Sequence, residues 1–322
     1  MRKRRGLLFH IGIGILFVIA ASAAMAPRLA PYEPRLPVGP PLALPSRDYP
    51  LGTNDLGQDV LSQLIYGARP SLAVAGLVTA ISTTLSWLAG LIAGFFQRVE
   101  GTIMAGADLL LALPNIPLYL LILTLLGPSL RNLIIVLALL SWPAFARIVR
   151  SLVLHARSAT YAEASRMLGA SDRHIIRFHI LPVTLDVLPA NMVLTARFAV
   201  AAEATLAFLG LSGGNQISWG TMLSWALADP LLFMRPVWPA LILPPTLAIV
   251  VLMLAVTWIS SGLIRSGGTA LRGGWDSTGN AKRGAALGSR DSRVIDSGRT
   301  WFPNSRTRTH HFAAAQATTP AS

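Results

Sequence analysis

Long apolar runs are the feature of this sequence that most constrains its fold. Six of them approach or exceed the roughly 20 residues that a helix needs to cross the hydrocarbon core of a bilayer. They cover approximately residues 7–26, 72–96, 103–126, 133–154, 183–211 and 238–264. Because lipid offers backbone N–H and C=O groups no water to bond, such runs must be helical. The sequence therefore predicts an all-α integral membrane protein with six transmembrane helices.

Composition and charge agree with a bilayer as the main partner. The 322 residues are 53% hydrophobic and 13% charged, with a net charge of +13. In a soluble chain this charge would suggest nucleic acid, but here the basic residues occupy the polar gaps between apolar runs and the tail. We therefore expect no nucleic-acid partner. The absence of cysteine excludes disulfides, thiolate metal sites and cysteine nucleophiles.

The distribution of basic residues predicts the orientation. With the amino terminus inside, 13 basic residues lie in inner segments and 6 in outer ones, which satisfies the positive-inside rule. Both termini are then cytoplasmic. The first run follows "MRKRR", and the small residues "ASAAMA" near its end leave a signal peptide as an alternative. Its 20-residue length favours a retained anchor.

Four regions follow from this pattern. Residues 1–26 form a cytoplasmic tail and the first helix, and the proline-rich residues 27–71 form an external linker and lip. Residues 72–264 form the main membrane domain. Residues 265–322 are rich in Gly, Ser, Arg and Thr and predict a disordered tail, in which two adjacent histidines are too isolated to indicate a metal site.

Several runs carry charges or helix breakers that lipid alone would not tolerate. Asp108 precedes the interruption "LPNIP", and Arg197 and Glu203 lie in the fifth run. A charge at the bilayer centre costs at least about 2.5–3.5 kcal/mol, so each needs a partner or water. Arg197 and Glu203 lie on opposite sides of an ideal helix and cannot readily pair. We predict that Asp108, Arg197 and Glu203 line a translocation path, with structural contacts between helices as the alternative.

The second run is rich in small residues. It contains Gly76, Gly90 and Gly94 together with several serines and threonines. Such residues let helix backbones approach closely in membranes, so we expect them to serve helix packing.

The polar segment between the fourth and fifth runs predicts a helix, a sharp turn and a second helix. Residues 158–168 are good helix formers, with Glu163 and Arg166 opposite a mildly apolar face. That face comprises Tyr161, Ala164, Ser165 and Leu168. Gly169 suits a left-handed helix cap. Ser171 can cap the second helix, Asp172 favours its positive end, and Pro182 is tolerated in the first turn of the next run.

This segment resembles the cytoplasmic "EAA" loop of permease subunits in binding-protein-dependent ATP-binding-cassette importers. That loop has Glu-Ala-Ala, a glycine six residues after the Glu, and a later Leu-Pro. The matching positions here are Glu163, Ala164, Gly169, Leu181 and Pro182. Ser165 replaces the second Ala, and His179 stands where the general pattern has Ile.

Further blocks resemble the C-type permease subunit of the dipeptide, oligopeptide and nickel importers. In the expected order they are Tyr49–Leu72, Asp108–Leu118, Trp142–Leu154 and Ala202–Leu223. The resemblance covers about residues 1–264 and implies the type I importer permease fold. Two departures, Gln58 and Gln63, stand where this branch usually has arginines, which puts any electrostatic docking role of the lip in doubt.

The resemblance implies a set of partners and a role for the EAA loop, at about residues 155–182. The partners are a homologous second permease, cytoplasmic ATPase subunits and an external solute-binding protein. The loop would couple ATP binding to movement of the helices in the cytoplasmic membrane of a bacterium or archaeon. The residues that would couple to the ATPase are Glu163, Ala164, Arg166, Leu168, Gly169, Leu181 and Pro182.

The chain itself lacks the residues to hydrolyse ATP. A phosphate-binding P-loop needs Gly-Lys followed by Ser or Thr, and the two lysines, Lys3 and Lys282, both precede arginine and follow Arg or Ala. We therefore expect no catalytic activity and no bound cofactor, with ATP and Mg on the partner ATPase.

Three alternatives remain open: an ion-coupled secondary transporter or channel acting alone, a membrane scaffold, and, within the importer family, nickel or another chelate as the substrate in place of a peptide.

Overall fold

The structure, a computed structural model, describes residues 2–214 and 216–270, with side chains described in residues 7–214 and 216–260. Within these ranges the chain is helical and contains no β-strand. The predicted all-α fold is confirmed for this part of the chain. Residues 271–322, which hold most of the predicted tail, lie outside the described residues.

Eleven helices build the bundle within the described residues. They are α1 (Arg2–Ala24), α2 (Val60–Phe95), α3 (Gln97–Ala112), α4 (Asn115–Leu126), α5 (Leu130–Leu140), α6 (Pro143–Arg157), α7 (Thr160–Met167), α8 (Asp172–Leu185), α9 (Leu188–Phe208), α10 (Trp219–Leu227) and α11 (Trp238–Ala270). Short helical turns at Ala26–Leu29 and Leu232–Met234 lie in the connections.

The structure supports between four and six membrane crossings among the described residues. Leu7–Ala24, Val60–Phe95, Leu130–Arg157 and Trp238–Ser260 are each long and apolar enough to cross a membrane. Two further crossings arise if each of two bent helix pairs, α3 with α4 and α8 with α9, forms one span. The predicted count of six agrees with this upper value.

The second span begins earlier than predicted, at Val60 and not at residue 72. Asp59 caps it, since its carboxylate accepts a hydrogen bond from the Ser62 backbone N–H at 2.8 Å. Ser62 and Gln63 are buried polar residues, which an apolar pattern does not include. The final residues of the predicted linker therefore belong to the helix.

The third predicted span, 103–126, is not one straight helix. It bends by 94° between α3 and α4. The bend falls at Leu113, which is extended with φ −91° and ψ 140° because it precedes Pro114. The "LPNIP" interruption thus divides this run in two.

Helix α2 is the central helix of the bundle. Its 36 residues span about 54 Å and it packs against α1, α6 and α9. A Cβ atom at Gly90 would lie 2.5 Å from the Ala146 carbonyl oxygen, and one at Gly94 would lie 2.6 Å from the Val153 Cβ. Gly76, by contrast, has nothing within 4 Å. Two of the three predicted packing glycines therefore set the close approach of α2 and α6.

A hydrophobic cluster fills the end of the bundle where α2 terminates, and we call it the basal cluster. It joins α2, α6, α7 and α8. Its buried members are Phe95, Phe145, Val149, Val153, Ala156, Ala162, Ile175 and Ile180.

Helix α10 was not predicted from the sequence. Ser218 and Thr221 form a capping box at its start, and the Trp219 indole donates to the Leu64 carbonyl at 2.9 Å. A Cβ at Gly220 would lie 2.6 Å from the Ala204 carbonyl oxygen, so α10 lies directly against α9. Its nine residues are too few to give a membrane-span signal.

The α2–α6 contact predicts a difference between two equivalent substitutions. Gly90→Ala and Gly76→Ala gain the same helix propensity, but only the first places a methyl group against a backbone carbonyl. We expect Gly90→Ala to lower the free energy of unfolding by about 1–3 kcal/mol relative to Gly76→Ala. Denaturant unfolding of the purified chains in detergent measures this, and equal stabilities would contradict the close approach.

Candidate functional site

The polar segment 155–182 forms the helix, turn and helix that its sequence predicts. Helix α7 ends in a left-handed glycine, Gly169, with φ +85°. The Ala170 N–H donates to the Ser165 carbonyl at 3.0 Å and the Gly169 N–H to the Arg166 carbonyl at 2.9 Å. These two bonds define a Schellman cap, which stops the helix sharply and reverses the chain.

Helix α7 is attached to the protein along part of its surface and leaves the remainder open. Ala162 is its buried residue and lies in the basal cluster. The Arg166 guanidinium donates to the Arg157 carbonyl at the end of α6, at 3.0 Å. Glu163 and Ala164 are exposed. The helix is thus presented on the surface and only lightly embedded.

Two large apolar side chains at the end of α7 face outward. Met167 is 88% exposed and Leu168 is 90% exposed. Tyr161, also on the predicted apolar face, is 48% exposed. The sequence pattern identified Leu168 but not Met167, because Met167 falls outside the i, i+3, i+4, i+7 positions. Their exposure within a polar segment makes them available for contact with a partner.

A π-helical turn lies inside α8. The turn covers Ile176–Ile180, and the Leu181 N–H bonds to the Ile176 carbonyl. It widens the helix immediately before Pro182, which lacks an N–H and would clash in a regular α-helix interior. Leu181 and Pro182 begin the α-helical part of α8 that follows this turn, so Pro182 lies in a first turn, as predicted. The bend of 47° follows later, between α8 and α9.

The two departures from the EAA pattern contact each other. The Ser165 Oγ lies 3.1 Å from the His179 Nε2, which joins α7 to the π-helical turn. The His179 ring also lies against the Tyr161 ring, with centroids 5.3 Å apart.

The charged residues predicted for a translocation path are not brought together in the described part of the chain. Asp108 on α3 forms an ion pair with Arg147 on α6. Glu203 on α9 is 1% exposed, and its Oε2 accepts from the Ser71 Oγ on α2 at 3.1 Å. Arg197 is partly buried on α9, where no hydrogen bond or ion pair joins it to a described residue.

A second ion pair lies beside Asp108 and Arg147. The Arg150 Nε donates to the Glu100 Oε1 at 2.8 Å, again between α3 and α6. Together the two pairs line a polar groove. The groove was not predicted from the sequence, because Glu100 lies just before the third predicted run. The described residues contain no cluster of three or more side chains that could hold a metal ion.

The glutamines of the lip form a neutral network instead of a charged surface. The Gln63 side chain donates to the Gln58 Oε1 at 2.7 Å and to the Pro34 carbonyl at 3.1 Å. The Asn54 side-chain amide donates to the Gln58 Oε1 at 2.9 Å, and the Gln58 side-chain amide donates to the Arg35 carbonyl at 2.8 Å. The network ties the residues before α2 to the first turns of that helix.

Comparison with known proteins identifies one family model. The model for the binding-protein-dependent transport system inner membrane component matches residues 82–266. A putative peptide transport system permease protein of Brucella suis is 34% identical over 265 residues, which covers 82% of this chain and 87% of the relative. A dipeptide transport system permease protein of Haemophilus influenzae is 32% identical over 272 residues, covering 81% and 90%. A glutathione transport system permease protein of Pectobacterium atrosepticum is 34% identical over 276 residues, covering 81% and 87%.

The amide network predicts a local effect of Gln63→Leu. Leucine has a similar size but cannot donate, so the buried Pro34 carbonyl loses its partner. We expect trypsin to cleave after Arg35 and Arg47 about ten-fold faster in this variant. Gln97→Leu, on the exposed start of α3, serves as the matched control and should leave the rate unchanged. An unaltered cleavage rate in Gln63→Leu would show that the network does not hold the segment.

Proposed function

The chain belongs to the family of binding-protein-dependent transport system inner membrane components, and from this premise we propose how it works as the permease subunit of an ATP-binding-cassette importer. The solute is a peptide or a related small molecule, delivered by an external binding protein. A separate ATPase drives its passage by moving the 155–182 segment. The names of the relatives, which are permeases for peptides, a dipeptide and glutathione, support this substrate class.

The observation that carries the proposal is the exposed end of α7. Met167 and Leu168 extend from a helix of eight residues, about 12 Å long, in which only Ala162 is fully buried. A short amphipathic helix with exposed apolar side chains fits a groove on a partner. That partner is the ATPase, which would also bind ATP and Mg, since neither lysine of this chain lies in a P-loop. Glu163 and Ala164 are exposed beside the same end and would contact it.

The basal cluster provides a route from α7 into the membrane helices. Ala162 on α7 packs in the same cluster as Ile175 and Ile180 on α8. Val149 and Val153 on α6 complete the contact, and both face the packing glycines of α2. Because close-packed side chains transmit displacement, a push on α7 would move α6 and α8 together. Movement of these helices would expose the translocation path alternately to each side of the membrane.

The translocation path would lie between this chain and a homologous second permease. Arg197 lies about 14 Å along the roughly 31 Å of α9, near the middle of that helix, and we take it to lie inside the bilayer. Because its side chain has no partner in the described chain, we expect it to face water or another subunit and not lipid. Asp108 and Glu203 remain proposed members of the path, although both already have contacts within the chain.

A secondary transporter acting alone draws no support from the described contacts. It would need a relay among Asp108, Arg197 and Glu203. Asp108 instead pairs with Arg147, and Glu203 bonds to Ser71. Within the importer family, nickel or another chelate remains the alternative substrate. The ligand retained by the external binding protein would decide between a chelate and a peptide.

The proposed orientation, with both termini in the cytoplasm, can be tested directly because the chain has no native cysteine. Arg47→Cys should react with a membrane-impermeant maleimide added to intact cells. Thr160→Cys should react only after the membrane is permeabilised. The reverse pattern of labelling would overturn the orientation.

Coupling through the 155–182 segment predicts a sharp contrast between two substitutions of Gly169. Its φ of +85° costs a β-branched residue about 1–2 kcal/mol, whereas asparagine tolerates it. Space is not limiting, because nothing lies within 4 Å of a Cβ built there. We expect Gly169→Val to abolish substrate-stimulated ATP hydrolysis by the assembled transporter and Gly169→Asn to retain it.

Amounts of each Gly169 variant in the membrane serve as the control for folding. Normal stimulation in a membrane-inserted Gly169→Val transporter would show that the turn does not transmit the motion.

A further inference from the structure

The hydrogen bond between Ser165 and His179 has a direction that the surrounding contacts determine. The Ser165 Oγ lies 2.8 Å from the Tyr161 carbonyl oxygen, which can only accept. A hydroxyl has one hydrogen, so Ser165 donates it to Tyr161 and accepts from His179. The His179 Nε2 therefore carries a hydrogen and donates it across the 3.1 Å gap.

Helix α7 has two rows of attachments on neighbouring sides. One row, Ala162 and Arg166, holds it to the basal cluster and to the end of α6. Residues four apart lie on one side of a helix, so this row alone would act as a hinge. Without further contacts, this row would oppose rotation of the helix about its own axis less than any other motion.

The second row prevents that rotation. Tyr161 and Ser165 are also four residues apart, and they lie about 100° around the axis from the first row. Both contact His179, through the ring contact at 5.3 Å and the hydrogen bond at 3.1 Å. His179 itself belongs to the π-helical turn, which the buried Ile175 and Ile180 anchor.

We infer that the Ser165–His179 hydrogen bond is a clamp that fixes the rotation of α7 about its axis. The clamp holds Met167 and Leu168 at the angle at which a partner can seat them. It also connects α7 to α8, so that force on α7 reaches α8 through this bond as well as through the basal cluster. Ser165 and His179 are positioning residues in this inference, which rests on the proposed coupling to an ATPase.

The experiment uses the complete transporter in liposomes with its ATPase, second permease and binding protein. Ser165→Ala removes the acceptor, and His179→Phe keeps the ring against Tyr161 but removes the N–H. Each variant should speed hydrogen exchange of the α7 backbone amides about five-fold. Each should also lower the ratio of substrate-stimulated to basal ATP hydrolysis several-fold. The double variant should equal either single variant, because one bond can be lost only once.

Variants that keep the hydrogen-bonding groups distinguish the loss of this hydrogen bond from a general change in packing. Ser165→Thr keeps a hydroxyl and His179→Gln keeps an N–H donor, so both should stay within two-fold of the wild type. Ser158→Ala is the matched serine control, since its Oγ bonds only to the carbonyls of Leu154 and His155 within the same turn. His155→Phe, at an exposed position of α6, is the matched histidine control and should leave the α7 exchange unchanged.

Three results would overturn the clamp. Wild-type exchange in Ser165→Ala and His179→Phe would show that the bond does not hold α7. Faster exchange with an unchanged stimulation ratio would remove the positioning role, and additive effects in the double variant would show that the two side chains act separately. If the wild-type transporter showed no stimulation, the proposed function would fail, whereas the exchange rates would still decide whether the clamp exists.

Discussion

The close approach of α2 and α6 is the contact on which the rest of the structure depends. At Gly90 and Gly94 the two helices leave no room for a Cβ, so α6 is held along the central helix of the bundle. The basal cluster forms where these helices end together, and α7 and α8 rest on that cluster. In lipid, hydrophobicity does not drive helices together, so close packing of small residues must supply much of the association energy. The close packing at Gly90 and Gly94 thus positions the polar helix α7 at the membrane surface.

The sequence predicted well those features that depend on short-range chemistry. Apolar runs indicated the spans, Gly169 indicated the left-handed cap, and "LPNIP" indicated the break between α3 and α4. Each reflects a local property: lipid solubility, a positive φ, or a missing amide hydrogen. Coupling by the 155–182 segment came from resemblance and remains a prediction. The exposure of Leu168 agrees with it, whereas the charges at Asp108 and Glu203 form internal contacts that no pattern could reveal.

Features that depend on partners distant in sequence were not predictable. The start of α2 at Val60 depends on buried Ser62 and Gln63, which a hydropathy window counts as polar. The π-helical turn before Pro182 is a change of hydrogen-bond register, and the residue types of this segment alone do not predict it. The Ser165–His179 contact joins residues that sequence reasoning could treat only as two separate departures. All three need the packed structure, because their stability comes from the neighbours of these residues and not from their own propensities.

The amide network around Gln58 and Gln63 gives the lip a property that charged residues would not. Hydrogen bonds between neutral amides do not weaken as dissolved ions screen them, whereas attraction between exposed charges falls within about 10 Å at 0.1 M ionic strength. If the lip faces the outside of the cell, it meets a medium whose ionic strength the cell does not control. A neutral network there keeps its shape in dilute and concentrated salt alike.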